Sequence, residues 1–469
     1  MIIRNQFFRN LVSAFLAQGV GLVLNVILSL AVPKVLGITE YGYWQLFIFY
    51  TGYVGFFHFG WADGIYLRLG GKDYKNLDYK TLGVEYRFFL VMESLIAILV
   101  VVAAYGMVDD ANRIFVFVGT AVYMVLYNAT LYLNYIFQAV NEIKTYALSV
   151  IMDRIFLLAV VIVLLFAGEE SYIPFIISYV VSKFISLAYL FYKGKKIVFV
   201  KLSGYRDAML DTKENILVGS NLMLANIASL MILGVGRVVI DQIWGINFFG
   251  KISFSLSLTN FFLLFIQQVS MVLFPFLRKI QEDKLTMAYS GLKTVLEVLL
   301  PISLVLYVPI KCILIIWLPE YAESLEYLAL LLPVCIFDGK MQMLYNTYLK
   351  VLREEKKMLQ INVISLLVSV FLAGVCGFIL HNFFAVIISM LAAVAFRCIV
   401  AELYLARKMH ISSGHNFIAE LLVVVIFVLV SWQMPDLQSF IIVVCVYICY
   451  LLTNSKKLVS CLKMLKTKP

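Results

Sequence analysis

Leu36-Gly37-Ile38-Thr39-Glu40-Tyr41-Gly42 stands between two apolar runs, residues 10–35 and 43–67. Each run exceeds the roughly 20 residues that carry a helix across a bilayer. A pair of glycines between such runs reads as a tight turn entering a second helix, because a missing Cβ frees the backbone there. The pattern returns as Gly245-Ile246-Asn247-Phe248-Phe249-Gly250, after an apolar run at 214–236 and ahead of another that ends at 277. Tyr66-Leu67-Arg68 likewise returns as Phe276-Leu277-Arg278 at the far end of the next run. Two matches at equivalent positions argue for an internal repeat, a feature of membrane transport folds.

The whole chain agrees with that opening. Of 469 residues, 63% are hydrophobic and 14% charged, and the mean hydropathy is +0.94. Soluble chains run at about 45–50% apolar and about 25% charged. A soluble enzyme, a nucleic-acid binder and a disordered scaffold are therefore excluded together. The run that ends at 277 starts at 248, and ten further apolar runs, at 83–106, 114–138, 147–167, 173–192, 294–316, 327–349, 359–380, 385–406, 417–433 and 439–455, bring the total to fourteen. The expected fold is an all-α polytopic membrane protein with both termini on one side. Alternate connections hold 28 of the 38 Lys and Arg, and the opposite turns hold Arg113 and Arg237. The positive-inside rule then puts both termini and the 193–213 segment in the cytoplasm. That segment divides the chain into a six-helix N-lobe (1–192), a linker (193–213), a six-helix C-lobe (214–407) and two further helices with a basic tail (408–469).

Seven cysteines, all at Cys312 or later, form no Cys-x-x-Cys pair, and His58, His381, His410 and His415 are scattered. Neither a metal, a cofactor nor a disulfide framework is expected. Every connection is too short for a soluble domain, so the activity lies within the bilayer.

Leu36-Gly37 with Glu40-Tyr41-Gly42, Val272-Leu273-Phe274-Pro275 and Trp317-Leu318-Pro319-Glu320-Tyr321 resemble the polysaccharide-biosynthesis (Wzx-type, O-antigen) flippases. The basic stretch Lys350–Lys357 resembles that family's turn after helix 10. The flippases share a superfamily with multidrug and toxin extruders and lipid II flippases. The resemblance covers about residues 10 to 407, and Lys251 departs from it where an aromatic is common. It implies two pseudo-symmetric lobes about a cleft lined by helices 1, 2, 7 and 8. It also implies transfer of a polyprenyl-diphosphate-linked oligosaccharide to the outer leaflet, with membrane lipids, a polymerase and other glycan-assembly proteins as partners and no nucleic acid.

Polar stripes run along those four helices. Gln18 and Asn25 share a face of span 1, Asp63 lies on span 2, Asn226 and Arg237 on span 7, and Asn260 and Gln267 on span 8, which leads to Arg278. Stripes of this kind face protein or water, since unpaired polar groups in hydrocarbon are costly. A charge at mid-helix costs at least about 2.5–3.5 kcal/mol on insertion scales. Lys340 in span 10 is thus a further substrate-binding candidate, with Arg154, Lys183 and Arg397 as secondary ones. Cationic side chains suit an anionic diphosphate. Asp63, Glu93 and Asp338 are the carboxylates available for ion coupling. The alternatives are a cation antiporter of the same superfamily, which usually carries an acid deep in helix 1 or 7, and a membrane-embedded glycan polymerase or transferase. The second needs grouped acid–base residues or a large outer loop.

Overall fold

A computed structural model describes residues 19, 21–201, 204–277, 282–411 and 415–466. Helices dominate throughout, and no strand occurs among these residues. Contacts divide the chain into two units, Met1–Ile227 and Ala228–Pro469.

In the first unit, α1 (Gly21–Leu30) runs into α2 (Val32–Thr51) through a sharp bend. Within α2, Gly37 takes φ 68° and ψ 176°, a conformation open essentially to glycine. Its repeat counterpart Gly245 has φ 82°, so both turns read from the sequence use a left-handed glycine. The helix then breaks. A 3-10 turn (Val54–His58) leads through Phe59 and Gly60, both at positive φ, into α3 (Trp61–Leu69). Next come α4 (Tyr79–Met107), α5 (Ala111–Ala139), α6 (Ile143–Ala167), α7 (Tyr172–Lys193) and the short α8 (Lys195–Val198). Asp78, Asp110 and Ser171 cap α4, α5 and α7 by accepting from backbone N–H groups of the first turn, which satisfies donors that a helix start leaves open. The core between α3, α4, α5 and α7 sets the buried rings of Trp61, Tyr86, Phe89, Tyr132 and Phe137 among Ile and Leu side chains.

α9 (Tyr205–Trp244) is one unbroken helix that begins in the first unit and ends in the second. Sequence places the end of this span at 236, but the helix continues to Trp244 and the turn is confined to Gly245. Arg237 therefore sits inside the helix rather than in a loop. The second unit continues with α10 (Ile246–Leu277), α11 (Glu282–Leu299), α12 (Ile302–Val305), α13 (Tyr307–Trp317), α14 (Ala322–Leu331) and α15 (Val334–Lys340). A π turn (Met341–Tyr345) leads into α16 (Asn346–Val351), and α17 (Glu355–Gly374) ends in another at Val375–Ile379. α18 (Phe383–Lys408), α19 (His415–Gln433) and α20 (Asp436–Lys466) complete the chain. Tyr327, Leu331, Phe383, Ile387 and Met390 form its core with Ile240 and Ile252.

Among the described residues, nine helical stretches are long and apolar enough to cross a membrane, or eleven with two bent pairs counted as spans. α10 and α19 also coincide with expected spans, and the bent pair from Gly21 to His58 takes in parts of the first two expected spans, so the architecture is consistent with fourteen. The protein is an all-α polytopic membrane protein.

Candidate functional site

The break between α2 and α3 is held by polar side chains. His58 is 5% exposed, and its Nδ1 accepts from the Gly60 N–H at 3.0 Å. Its Nε2 lies 3.7 Å from the Asp63 carboxylate. Asn128 on α5 donates through Nδ2 to the Val54 carbonyl at 3.0 Å and to Glu93 Oε2 at 2.9 Å. A helix that breaks in hydrocarbon frees carbonyls that must find donors, and Asn128 supplies one. The scattered histidines of the sequence gave no hint of this role for His58.

Just beyond the break, α3 crosses the start of α9 at very short range. A Cβ built on Gly60 would come within 2.5 Å of the Ser220 nitrogen, and one on Gly64 or Gly219 would overlap the facing backbone. Glu85 on α4 is fully buried beside this crossing. It accepts from Arg68 Nη2 at 2.7 Å, from Asn215 Nδ2 at 2.9 Å and from Trp61 Nε1 at 3.4 Å. Arg68 also pairs with Asp211. No local sequence pattern marks Glu85, because its partners lie on α3 and α9, far from it along the chain.

The remaining candidates of the first unit have distinct settings. Lys183 Nζ contacts Asp153 Oδ2 at 2.5 Å and lies 5.9 and 5.7 Å from the ring centres of Tyr123 and Tyr127. The Arg154 guanidinium rests against the backbone of Gly21.

In the second unit, Arg237 donates through Nη2 to Ser253 Oγ at 2.7 Å and stacks 4.7 Å over the Phe249 ring. Arg397 bridges α9 and α15, reaching Ser229 Oγ at 2.5 Å and the Asp338 carboxylate. Lys340 is 1% exposed and its ammonium meets Glu420 on α19, itself fully buried. Lys311 pairs with Asp436 at the start of α20 at 2.6 Å. Lys293 contacts Glu402 at 2.5 Å and Glu297 at 3.7 Å.

Burial sorts the intramembrane amides. Asn128, Asn134, Asn215 and Asn362 are buried, whereas Asn25, Asn226 and Asn260 are exposed. Buried amides tie helices together. An exposed amide on a membrane helix needs water or a polar ligand, since bare hydrocarbon satisfies neither its donors nor its acceptor. Gln18 and Arg278 lie outside the described residues, as does the side chain of Gln267.

No family profile and no curated protein matches the sequence. Solved structures do match the fold, transporters of the MOP superfamily among them. A lipid II flippase, MurJ, in an inward closed conformation aligns over 96% of this chain and 98% of its own, with TM-score 0.66 and 14% identity. An inward-facing multidrug resistance MATE transporter aligns over 82% of this chain and 94% of its own, with TM-score 0.60 and 13% identity. A MATE structure in a straight conformation covers 84% of this chain and 94% of its own, at TM-score 0.55 and 12% identity. At such identities, the fold is what is shared.

Proposed function

We propose that this protein flips a polyprenyl-diphosphate-linked oligosaccharide from the cytoplasmic to the outer leaflet of a bacterial inner membrane, with both termini cytoplasmic. The lipid tail stays in the bilayer, and the polar head passes by alternating access along amide and cationic side chains. The observation that carries this reading is the exposure of Asn25, Asn226 and Asn260 on membrane helices. Amides exchange hydrogen bonds with sugar hydroxyls and phosphate oxygens and have little to offer a hydrophobic cation. Arg237 adds a guanidinium suited to phosphate. Gln18, Gln267 and Arg278 extend the same stripes in sequence. The alignment over nearly the full length of a lipid II flippase supports the substrate class.

A second reading, a multidrug or toxin cation antiporter, is favoured by the fold match to MATE transporters. Against it, residues 10–35 and 215–240 contain no acid to exchange a drug for an ion. Proteoliposomes carrying a fluorescent lipid-linked oligosaccharide or ethidium separate the two. Protein-dependent loss of leaflet asymmetry of the glycolipid is expected. Ethidium movement driven by a proton or sodium gradient, with no glycolipid flipping, would overturn the proposal.

A further inference from the structure

α8 is a single amphipathic turn: Ile197 and Val198 are buried, while Lys195 and Lys196 are exposed. It is fastened to α4. Arg87 donates through Nη2 to the carbonyls of Val198 at 3.3 Å and Val200 at 2.8 Å, and Gly83 lets the Ile197 carbonyl pack directly against the α4 backbone. Between this turn and the start of α4 lies an open groove of about 660 Å³. Lys80, Lys195 and Lys196 supply its charge, and Tyr79, Phe199 and Val200 its apolar walls. The Lys196 ammonium stands 5.5 Å from the Tyr79 ring centre.

Asp78, the one carboxylate in the lining, is already engaged. It accepts from the Thr81 hydroxyl at 2.7 Å and from the N–H groups of Thr81 and Lys80 at 3.2 and 3.1 Å. Those donors, the Thr81 hydroxyl first, hold its carboxyl below the usual range. The groove therefore presents three ammonium groups on a firm floor. Of its apolar walls, Phe199 stands 71% exposed. Ammonium groups beside a bare aromatic ring, at the ends of membrane helices, fit a molecule with a phosphate at the interface and acyl chains in the bilayer. A soluble anion would leave the exposed face of Phe199 bare.

We propose that this groove binds an anionic membrane phospholipid, its phosphate held by Lys80, Lys195 and Lys196 and its upper acyl chain laid along Phe199 and Val200. Bound there, the lipid braces the turn that leads into α9.

Native mass spectrometry of the purified full-length protein, titrated with phosphatidylglycerol or phosphatidylcholine, tests this. The variant K80Q/K195Q/K196Q should bind phosphatidylglycerol about a hundredfold more weakly, given roughly 1 kcal/mol for each of three lysines near a membrane surface. The control K356Q/K357Q, which removes two exposed lysines elsewhere, should stay within about twofold. Phosphatidylcholine should bind all forms alike. Equal losses in both variants would reduce the effect to diffuse charge and overturn the proposal. So would displacement of phosphatidylglycerol by millimolar pyrophosphate, which would make the groove a soluble-anion site, or by a polyprenyl diphosphate at equal concentration, which would assign it to substrate. If the triple variant melts early without lipid, K196Q alone takes its place: a several-fold loss supports the site, and none refutes it.

Discussion

Gly245 holds φ at 82° with open space where a Cβ would stand, so substitution there tests backbone strain alone. Gly106 also has open space around it but lies within α4. The variant G245A should lose about 1–2 kcal/mol of stability, the left-handed penalty of an L-residue. G106A should be neutral or gain up to about 1 kcal/mol from helix propensity. Denaturant melts in detergent measure both, and equal behaviour would remove the case for a strained turn. The exposed amides carry a different expectation. Cysteines placed at Asn25, Asn226 and Asn260 should react with a membrane-impermeant thiol reagent faster than one at Leu99, which is 66% exposed but surrounded by apolar sequence. Similar rates at all four positions would place the amides in lipid and leave the flippase reading without its site.

At the scale of elements, two buried or half-buried ion pairs decide how the last helices attach. Lys340 on α15 meets Glu420 on α19, and Lys311 on α13 meets Asp436 on α20. Removing one member of a buried pair leaves a charge without compensation, at a cost of about 3–5 kcal/mol, whereas replacing both with apolar residues is often neutral. E420L should therefore destabilise the protein strongly, and K340M/E420L should recover most of the loss. A double variant as weak as the single one would refute the pairing. The pair also shows what sequence leaves unreadable. The apolar runs made the spans legible though not the breaks within them, such as the one before α3, and Lys340 stood out as a charge in mid-span. Its partner is 80 residues away, and no local pattern joins them. The same holds for Glu85, whose three donors come from α3 and α9. His58 looked like one of four isolated histidines and became meaningful only with the break at Gly60. The paired glycines were legible because a tight turn between two spans constrains adjacent residues, and so shows in a short stretch of chain.

For the whole molecule, the distribution of Lys and Arg predicts orientation. Reporter fusions after Lys196 should behave as cytoplasmic and those after Asp109 as external; the reverse would invert the proposed direction of transport. The energy source is also open to measurement. A diphosphate head carries roughly two negative charges, so outward movement from a negative interior gains about 2.3 kcal/mol per charge per 100 mV. Imposing a potential across proteoliposomes, with no ion or pH gradient, should change the flipping rate. A response to protons or sodium but not to potential would point to Asp63, Glu93 or Asp338 instead.

The unbroken course of α9 has a bearing on synthesis. The first unit extends to Ile227, so it is finished by the first half of α9, which leaves the ribosome after α1 to α8. Until they emerge, Glu85 awaits Asn215, Arg68 awaits Asp211, and the faces of Gly60 and Gly64 lie uncovered. The nascent chain must therefore hold a buried carboxylate half-satisfied while the next helix is translated, an interval in which a membrane chaperone or a quality-control protease has an opening. A chain halted at residue 201 should be degraded faster than one halted at residue 227, although the two differ by only part of one helix.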